Sequence, residues 1–189
     1  MNWVFEAGHR AAGKGSTWLP LCEQKGRGVA ATSVQSVMAS VADAARRSGR
    51  FGAVSIPASG EGVVCEAKAS AAPASYRVGV DGATVFVELV MADRWLSHSI
   101  EADLLNTGDK MEELLEEELV DLGVRHKERD VSGLSVEHFR SEDKLFTFRS
   151  RLPGPASELD AETIAGCLIA YEACFGALGD MSAGDGEDE

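Results

Sequence analysis

Residues 76–91, YRVGVDGATVFVELVM, decide the fold class. Two runs rich in β-branched and aromatic residues flank Asp81-Gly82, the pair expected in the type I′ turn of a β-hairpin. The stretch therefore predicts two antiparallel strands, YRVGV and ATVFVELVM. Because the other predicted strands also cluster and do not alternate singly with helices, we expect an α+β fold with an antiparallel sheet and three main helices.

Further strands are predicted on both sides of this hairpin. Two precede it, at residues 51–56 and 62–69, and are separated by the turn-like sequence PASGEG. Two follow it, near residues 124–131 and at 144–152. The second of these, KLFTFRSRL, alternates in the manner expected of a sheet with one solvated face. The stretch PGPAS at 153–157 is expected to end that strand.

Three helices are predicted from apolar residues that recur at intervals of three and four. They span residues 32–49, 106–123 and 159–179. Each begins at a residue type that accepts hydrogen bonds at the N-cap, and Gly49 and Gly123 are expected to end the first two. The N-cap candidates are Thr32 or Ser33, Asn106 or Thr107, and Asp160. The predicted apolar faces are Val34, Val37, Met38, Val41 and Ala45; Met111, Leu114, Leu115, Leu119 and Leu122; and Ile164, Cys167, Leu168, Tyr171, Cys174, Phe175 and Leu178.

These elements predict one domain with irregular ends, as a length of 189 residues suggests. Residues 1–28 hold five glycines and no useful periodicity, so we expect an irregular Gly-rich N-terminal extension. Residues 29–179 are predicted to form a single α+β domain. Residues 180–189 are strongly acidic and are expected to be a disordered tail.

Charge and hydropathy limit the partners. The net charge is −13, and residues 1–50 carry seven basic and three acidic side chains, which leaves −17 on the remainder. A surface this acidic repels phosphate backbones, so no nucleic-acid partner is expected. No apolar run approaches the roughly 18 residues of a membrane span, and the N-terminus lacks the apolar region of a signal peptide. We expect a cytoplasmic protein with no membrane partner.

The four cysteines, Cys22, Cys65, Cys167 and Cys174, show no metal-ligand spacing. No pair forms C-x-x-C and no histidine lies at ligand spacing from any of them, so a zinc site is not expected. We interpret them as buried free thiols in a reducing compartment. No cofactor is expected.

The sequence GHRAAGKGST at residues 8–17 resembles a nucleotide-binding loop, G-x-x-x-x-G-K-[S/T]. Gly15 occupies the position of the magnesium-binding hydroxyl, and Ser16 and Thr17 come one and two places late. Pro20 also prevents the long helix that would hold the phosphates. A flexible basic segment is therefore favoured over a phosphate site.

Catalytic motifs are not found, so an enzyme is not expected. The sequence has no G-x-S-x-G element and no H-E-x-x-H zinc pair. Glu137 and His138 are adjacent in a predicted strand and so point to opposite faces. The one catalytic alternative left open is a serine, a histidine and an acid that only the fold brings together. On the second helix, glutamates four residues apart favour a solvated face over a cation site.

The stretch MADRWLSHSIEADLLNTGDK, residues 91–110, combines aromatic and charged side chains. Tryptophan and arginine together are enriched in binding hot spots, so a polar recognition site, if the chain has one, is predicted here. The favoured interpretation is a structural corner, in which Trp95 is buried and Asp93 pairs with Arg94. The candidate binding residues are Asp93, Arg94, Trp95, Ser97, His98 and Glu101.

The order of elements resembles the type III secretion chaperone-like fold, which includes the bacterial YbjN-type proteins. The segments that carry the resemblance are the hairpin strands, MEELLEEELVDLG, KLFTFRSRL and DAETIAGCLIAYEACFGALG, and they fall within residues 30–180. The resemblance implies a homodimer without catalytic machinery. It also implies binding of a partner protein's extended segment on apolar patches. The first 28 residues and the length of residues 51–75 depart from this pattern.

Two functions follow as expectations. The first is a non-catalytic protein-binding domain, chaperone-like or regulatory, that acts through apolar surface patches on another protein and forms a homodimer. The alternative is a small-molecule or anion binder, or a weak enzyme, that uses Arg94, Trp95 and His98 with Lys14. A concave polar pocket at residues 93–101 would favour this alternative.

Overall fold

A six-stranded antiparallel sheet in the order β1-β2-β3-β4-β6-β5 organises the chain. The computed structural model describes residues 24–124 and 134–182. The strands are β1 (Phe51–Ser55), β2 (Gly62–Ala67), β3 (Ala74–Asp81), β4 (Thr84–Met91), β5 (Glu137–Arg140) and β6 (Phe146–Pro155). The helices are α1 (Gln24–Ser48), α2 (Arg94–Thr107), α3 (Met111–Asp121) and α4 (Ala161–Gly176), followed by a 3-10 turn, Gly179–Met181. The predicted α+β class and antiparallel sheet are confirmed.

Several predictions fall on parts of the chain that the structure does not describe. They are the nucleotide-loop-like stretch 8–17, most of the predicted irregular extension, the predicted strand within 125–131, and the acidic tail from residue 183 onward.

The hairpin is present, but its turn differs from the predicted one. Asp81 pairs with Thr84 in the ladder, so the two turn residues are Gly82 and Ala83. A type I′ turn requires positive φ at both central residues. Gly82 has a φ of 59°, whereas Ala83 is not among the described residues with positive φ. The geometry fits a type II′ turn, in which Asp81 belongs to the strand.

One face of the sheet carries the core, because alternate residues of neighbouring strands pair in register. Leu89 of β4 lies between Tyr76 of β3 and Phe148 of β6. The central helix α4 packs on this face: the rings of Phe148 and Phe175 lie 5.2 Å apart. Every residue of the predicted apolar face of α4 is buried. The side chain of Asp160 caps the helix, as predicted.

The helices differ from prediction at two ends. α1 begins at Gln24, so residues 24–28 are helical and not irregular. Their two glycines counted toward the predicted Gly-rich irregular segment, but an interior glycine costs only about 1 kcal/mol and an existing helix propagates cooperatively. α3 begins after Lys110, and Thr107 ends the preceding helix, so the predicted Asn106 or Thr107 cap is wrong.

A fourth helix, α2, occupies the stretch interpreted as a recognition loop or a corner. Its apolar stripe is short, with Leu96 and Ile100 as its buried apolar residues, and too weak to predict a helix. The strand β6 also continues through PGPAS as far as Pro155. Its pairing with β4 is irregular there, and Gly154 has a φ of 86°, so a bulge accommodates the prolines.

The 3-10 turn attaches α4 to α2, and two of its three residues, Asp180 and Met181, were predicted to belong to the disordered tail. The Gly179 amide donates to Asp103 Oδ2 at 2.9 Å, and the Asp180 amide donates to Ser99 Oγ at 3.0 Å. Met181 is 1% exposed. Residues 180–182 therefore belong to the folded domain, because their backbone amides have acceptors and the Met181 side chain is buried.

The opposite face of the sheet carries a row of alternating charge. Arg77, Glu88, Arg149 and Glu137 are register neighbours across β3, β4, β6 and β5. Glu88 is buried, and its Oε2 accepts from Arg149 at 2.7 and 2.8 Å. The Arg149 guanidinium also lies 4.4 Å from the ring centre of Phe86. The arginine neutralises a buried carboxylate while its flat face stays in aromatic contact.

We expect Arg149→Met to lower the free energy of unfolding by about 1–3 kcal/mol, because Glu88 then stays buried without its counter-charge. Arg151→Met is the matched control: it removes an exposed guanidinium two residues along the same strand face. Its effect should be below about 0.5 kcal/mol. Urea unfolding followed by circular dichroism measures both. Equal losses in the two variants would contradict this role for Arg149.

Candidate functional site

The predicted site forms the first two turns of α2. Asp93 is the N-cap, and its Oδ1 accepts from the Leu96 amide at 2.8 Å. Leu96 and Ile100 are buried and hold the helix against the sheet. The role of Asp93 is therefore to begin the helix and not to pair with Arg94. The short connection from β4 to α2 fixes the direction of every side chain that follows.

The outer face of α2, defined here as Trp95, His98, Ala102 and Leu105, is turned away from the core. These residues recur at helical spacing on one side. Trp95 is 74% exposed and Leu105 is 83% exposed. The His98 ring lies edge-on to the indole, with ring centres 6.4 Å apart. The expectation that Trp95 is buried in a structural corner is therefore wrong.

The inner side of α2 carries a hydrogen-bonded chain of three residues. Ser97 Oγ lies 3.2 Å from His138 Nε2, and His138 Nδ1 lies 3.2 Å from Glu101 Oε1. Because a carboxylate only accepts, the proton is assigned to Nδ1, which leaves Nε2 to accept from the serine hydroxyl. The imidazole is stacked on Phe148, with ring centres 3.9 Å apart and planes inclined by 2°.

The three hydrogen-bonded residues follow the serine–imidazole–carboxylate order of acyl-transfer enzymes, but the serine is not accessible to a substrate as it is in those enzymes. Ser97 is 1% exposed, whereas a nucleophile must reach its substrate. The four cavities described in the structure are lined by other residues. The geometry instead fixes the edge strand β5 against α2. Sequence reasoning missed His138 because only the pairing of β5 with β6 brings it to α2.

The six predicted site residues are thus divided between two sides of one helix. Ser97 and Glu101 contact His138, while Trp95 and His98 lie on the outer face and Arg94 is exposed beside them. The division follows the helical periodicity of residues 94–107, whose weak apolar stripe did not predict a helix.

Metal and thiol chemistry find little support in the described part of the chain. Within residues 24–124 and 134–182, no group of three or more His, Cys, Asp or Glu side chains could hold a metal ion. Of the α3 glutamates, Glu113 pairs with Lys110 at 2.6 Å and Glu112 accepts from the Val136 amide. Three cysteines are buried and free, and burial raises the pKa of each thiol to about 12. They are Cys65, Cys167 and Cys174.

The length and apolar character of the helices determine whether any of them could cross a membrane. Among the residues that the structure describes, no helix combines the length and the apolar character that crossing a bilayer requires.

Burial lowers the pKa of His138 below its ordinary value of 6.5, while the nearby Glu101 carboxylate acts in the opposite direction. The folded state thus favours the neutral imidazole, and the unfolded chain takes up the proton first as pH falls. We expect the free energy of unfolding to decrease as pH drops from 6.5 toward the lowered pKa. Urea unfolding between about pH 7 and 5.5, above the range of ordinary carboxylates, measures this slope.

His138→Gln should flatten the slope, whereas His98→Gln, on the outer face of α2, should retain it. A slope that survives His138→Gln would show that another group controls the pH dependence.

Comparison with known proteins gives no family for the chain: no protein-family model, no curated protein and no solved structure matches it. The resemblance to the type III secretion chaperone-like fold therefore stays an expectation.

Proposed function

We propose that this chain is a non-catalytic protein-binding domain that docks an apolar segment of a partner protein on the outer face of α2. The exposure of Trp95 and Leu105 on one side of a single helix carries the proposal. Scattered apolar residues are normal on a protein surface, but here an indole and a leucine side chain lie on one helical face, about 15 Å apart along its axis, with Ala102 between them. Binding would remove both side chains from water.

The helix presents this face on a rigid support. Leu96 and Ile100 are almost fully buried on the inner side, and the 3-10 turn bonds Ser99 and Asp103. An ordered support lowers the conformational entropy lost on binding. A tryptophan buries roughly 150–250 Å² when covered, worth several kcal/mol at about 25 cal/mol per Å². Trp95 has the properties of an interface anchor.

The acidic charge of the chain indicates the chemistry of the partner. The helix that follows, α3, exposes Glu112, Glu113, Glu117 and Asp121, and the chain as a whole carries a net charge of −13. Electrostatic complementarity favours a partner segment whose apolar residues are flanked by lysine or arginine. Two copies of an equally acidic chain repel each other over most of their surface. The homodimer implied by the resemblance would use a surface other than the one that the partner covers.

We place the domain in the cytoplasm, where free thiols persist. The buried and unpaired Cys65, Cys167 and Cys174 support this location.

A photo-crosslinking amino acid at position 95 tests the proposal in cells. Position 56 is the matched control, because Ile56 is an exposed apolar residue, 38% exposed, just after β1. We expect one partner adduct from position 95 and none from position 56. The adduct's sequence should include an apolar segment with basic neighbours.

With that partner purified, Trp95→Ala should weaken binding about 30-fold or more, the loss typical of an interface hot spot, while Ile56→Ala leaves the affinity unchanged. Isothermal titration calorimetry measures both dissociation constants. An adduct with the mass of two copies of this chain would show that the segment docked on this face belongs to a second copy and not to a different protein. Equal labelling from positions 95 and 56 would show that the face is not a docking site.

A further inference from the structure

A second candidate site lies away from α2, in a cleft between the ends of α1, β2 and α4. Its volume is about 470 Å³, within the range of small-ligand pockets. Five polar side chains line it: Arg50, Lys68, Tyr76, Glu172 and Ser182. We call it the Tyr76 cleft. It shares no lining residue with the outer face of α2.

The Tyr76 hydroxyl is the first observation. Tyr76 is 1% exposed, and its ring packs edge-on against Phe51 with centres 5.7 Å apart. No hydrogen bond joins its hydroxyl to any residue of the described ranges, although buried tyrosine hydroxyls ordinarily have a partner. Tyr171, the other tyrosine, donates to Ser150 Oγ at 2.6 Å. No fully enclosed polar side-chain atom in these ranges lacks a partner, and Tyr76 is one of the residues that line the cleft.

Two cations at the same cleft are the second observation. Lys68 Nζ donates to the Gly49 carbonyl at 3.3 Å, and Arg50 Nη1 lies 3.0 Å from Glu172 Oε2. An ammonium has three N–H donors and a guanidinium five, so each contact uses only part of the donor capacity. Glu172 holds the arginine at the cleft, and the Gly49 carbonyl holds the lysine.

The protonation state of Tyr76 makes it a donor as well. Burial raises the pKa of its hydroxyl far above the ordinary value, and the Glu172 carboxylate raises it further. The hydroxyl therefore keeps its proton at physiological pH. A neutral donor and two cations line one cleft of a strongly acidic chain, together with the Glu172 carboxylate that pairs with Arg50.

We infer that the Tyr76 cleft binds a small organic carboxylate, which accepts hydrogen bonds from the Tyr76 hydroxyl, the Lys68 ammonium and the Arg50 guanidinium. A carboxylate offers two oxygens and about four acceptor positions, enough for all three donors. Bonds between charged partners are the strong ones. The inference does not depend on the protein-binding function proposed for α2.

Nuclear magnetic resonance titration of the full chain with acetate and with succinate, at constant ionic strength, tests the inference. At least one probe should shift the Lys68 and Tyr76 backbone amides in a saturable way. Tyr76→Phe removes one oxygen, and loss of a hydrogen bond to a charged acceptor should raise the dissociation constant about tenfold or more. Lys68→Gln, a substitution at a solvent-accessible position, should also weaken binding. Tyr171→Phe, which removes the hydroxyl outside the cleft, should leave binding unchanged.

Two results would overturn the inference. One is the absence of saturable shifts with both probes, especially if Tyr76→Phe raises the melting temperature, which would mean that the hydroxyl meets only water. The other is binding that neither Tyr76→Phe nor Lys68→Gln weakens, which would mean adventitious association elsewhere.

The carboxylate has two possible sources, a free molecule or this chain's own acidic residues. The sequence after Ser182, which lines the cleft, contains Asp185, Glu187, Asp188 and Glu189. Replacing all four by the corresponding amides in the full chain separates the sources. Tighter probe binding in that variant identifies the chain itself as the competing carboxylate. Unchanged binding identifies a free ligand, and both results retain the carboxylate site.

Discussion

The pairing of β4 with β6 is the constraint on which the rest of the structure depends. It joins Glu88 to Arg149, residues separated by 61 positions in the chain, and closing such a loop costs about 4 kcal/mol in entropy beyond a constant. On the core face, the same pairing sets Phe148 beside Leu89 and under Phe175. Burial on both faces of the sheet offsets this entropy. Without β6 in place, β5 has no neighbour and His138 does not reach α2.

Local patterns in the sequence predicted the parts of the fold that local chemistry determines. The hairpin, the apolar face of α4 and the Asp160 cap each depend on residues close in sequence, and they are confirmed. α2 was missed because its polar residues outnumber its apolar ones, so packing and not periodicity stabilises it. The turn at Gly82 was assigned one residue too early, since Asp81-Gly82 and Gly82-Ala83 carry the same glycine signal.

The candidate sites show where such reasoning stops. The stretch around Trp95 was singled out by composition, yet composition did not distinguish the outward Trp95 from the inward Ser97. The chain from Ser97 to His138 and the Tyr76 cleft join residues from distant segments, and only tertiary structure brings them together. The outer face of α2 is apolar and projects outward, whereas the cleft is concave and polar. The 3-10 turn connects them: its Asp180 bonds α2, and its Met181 lines the cleft.

That turn also affects the order in which the molecule is completed during synthesis. Asp103 meets its partner amide on Gly179 only after 76 further residues have been made. At about 5–20 residues per second, the ribosome takes roughly 4–15 s to supply them. During this interval α2 lacks both bonds to the turn, and Trp95 is displayed on a helix that is not yet fixed. A nascent chain therefore exposes Trp95 before the support of α2 is complete, when molecular chaperones have an opportunity to bind it.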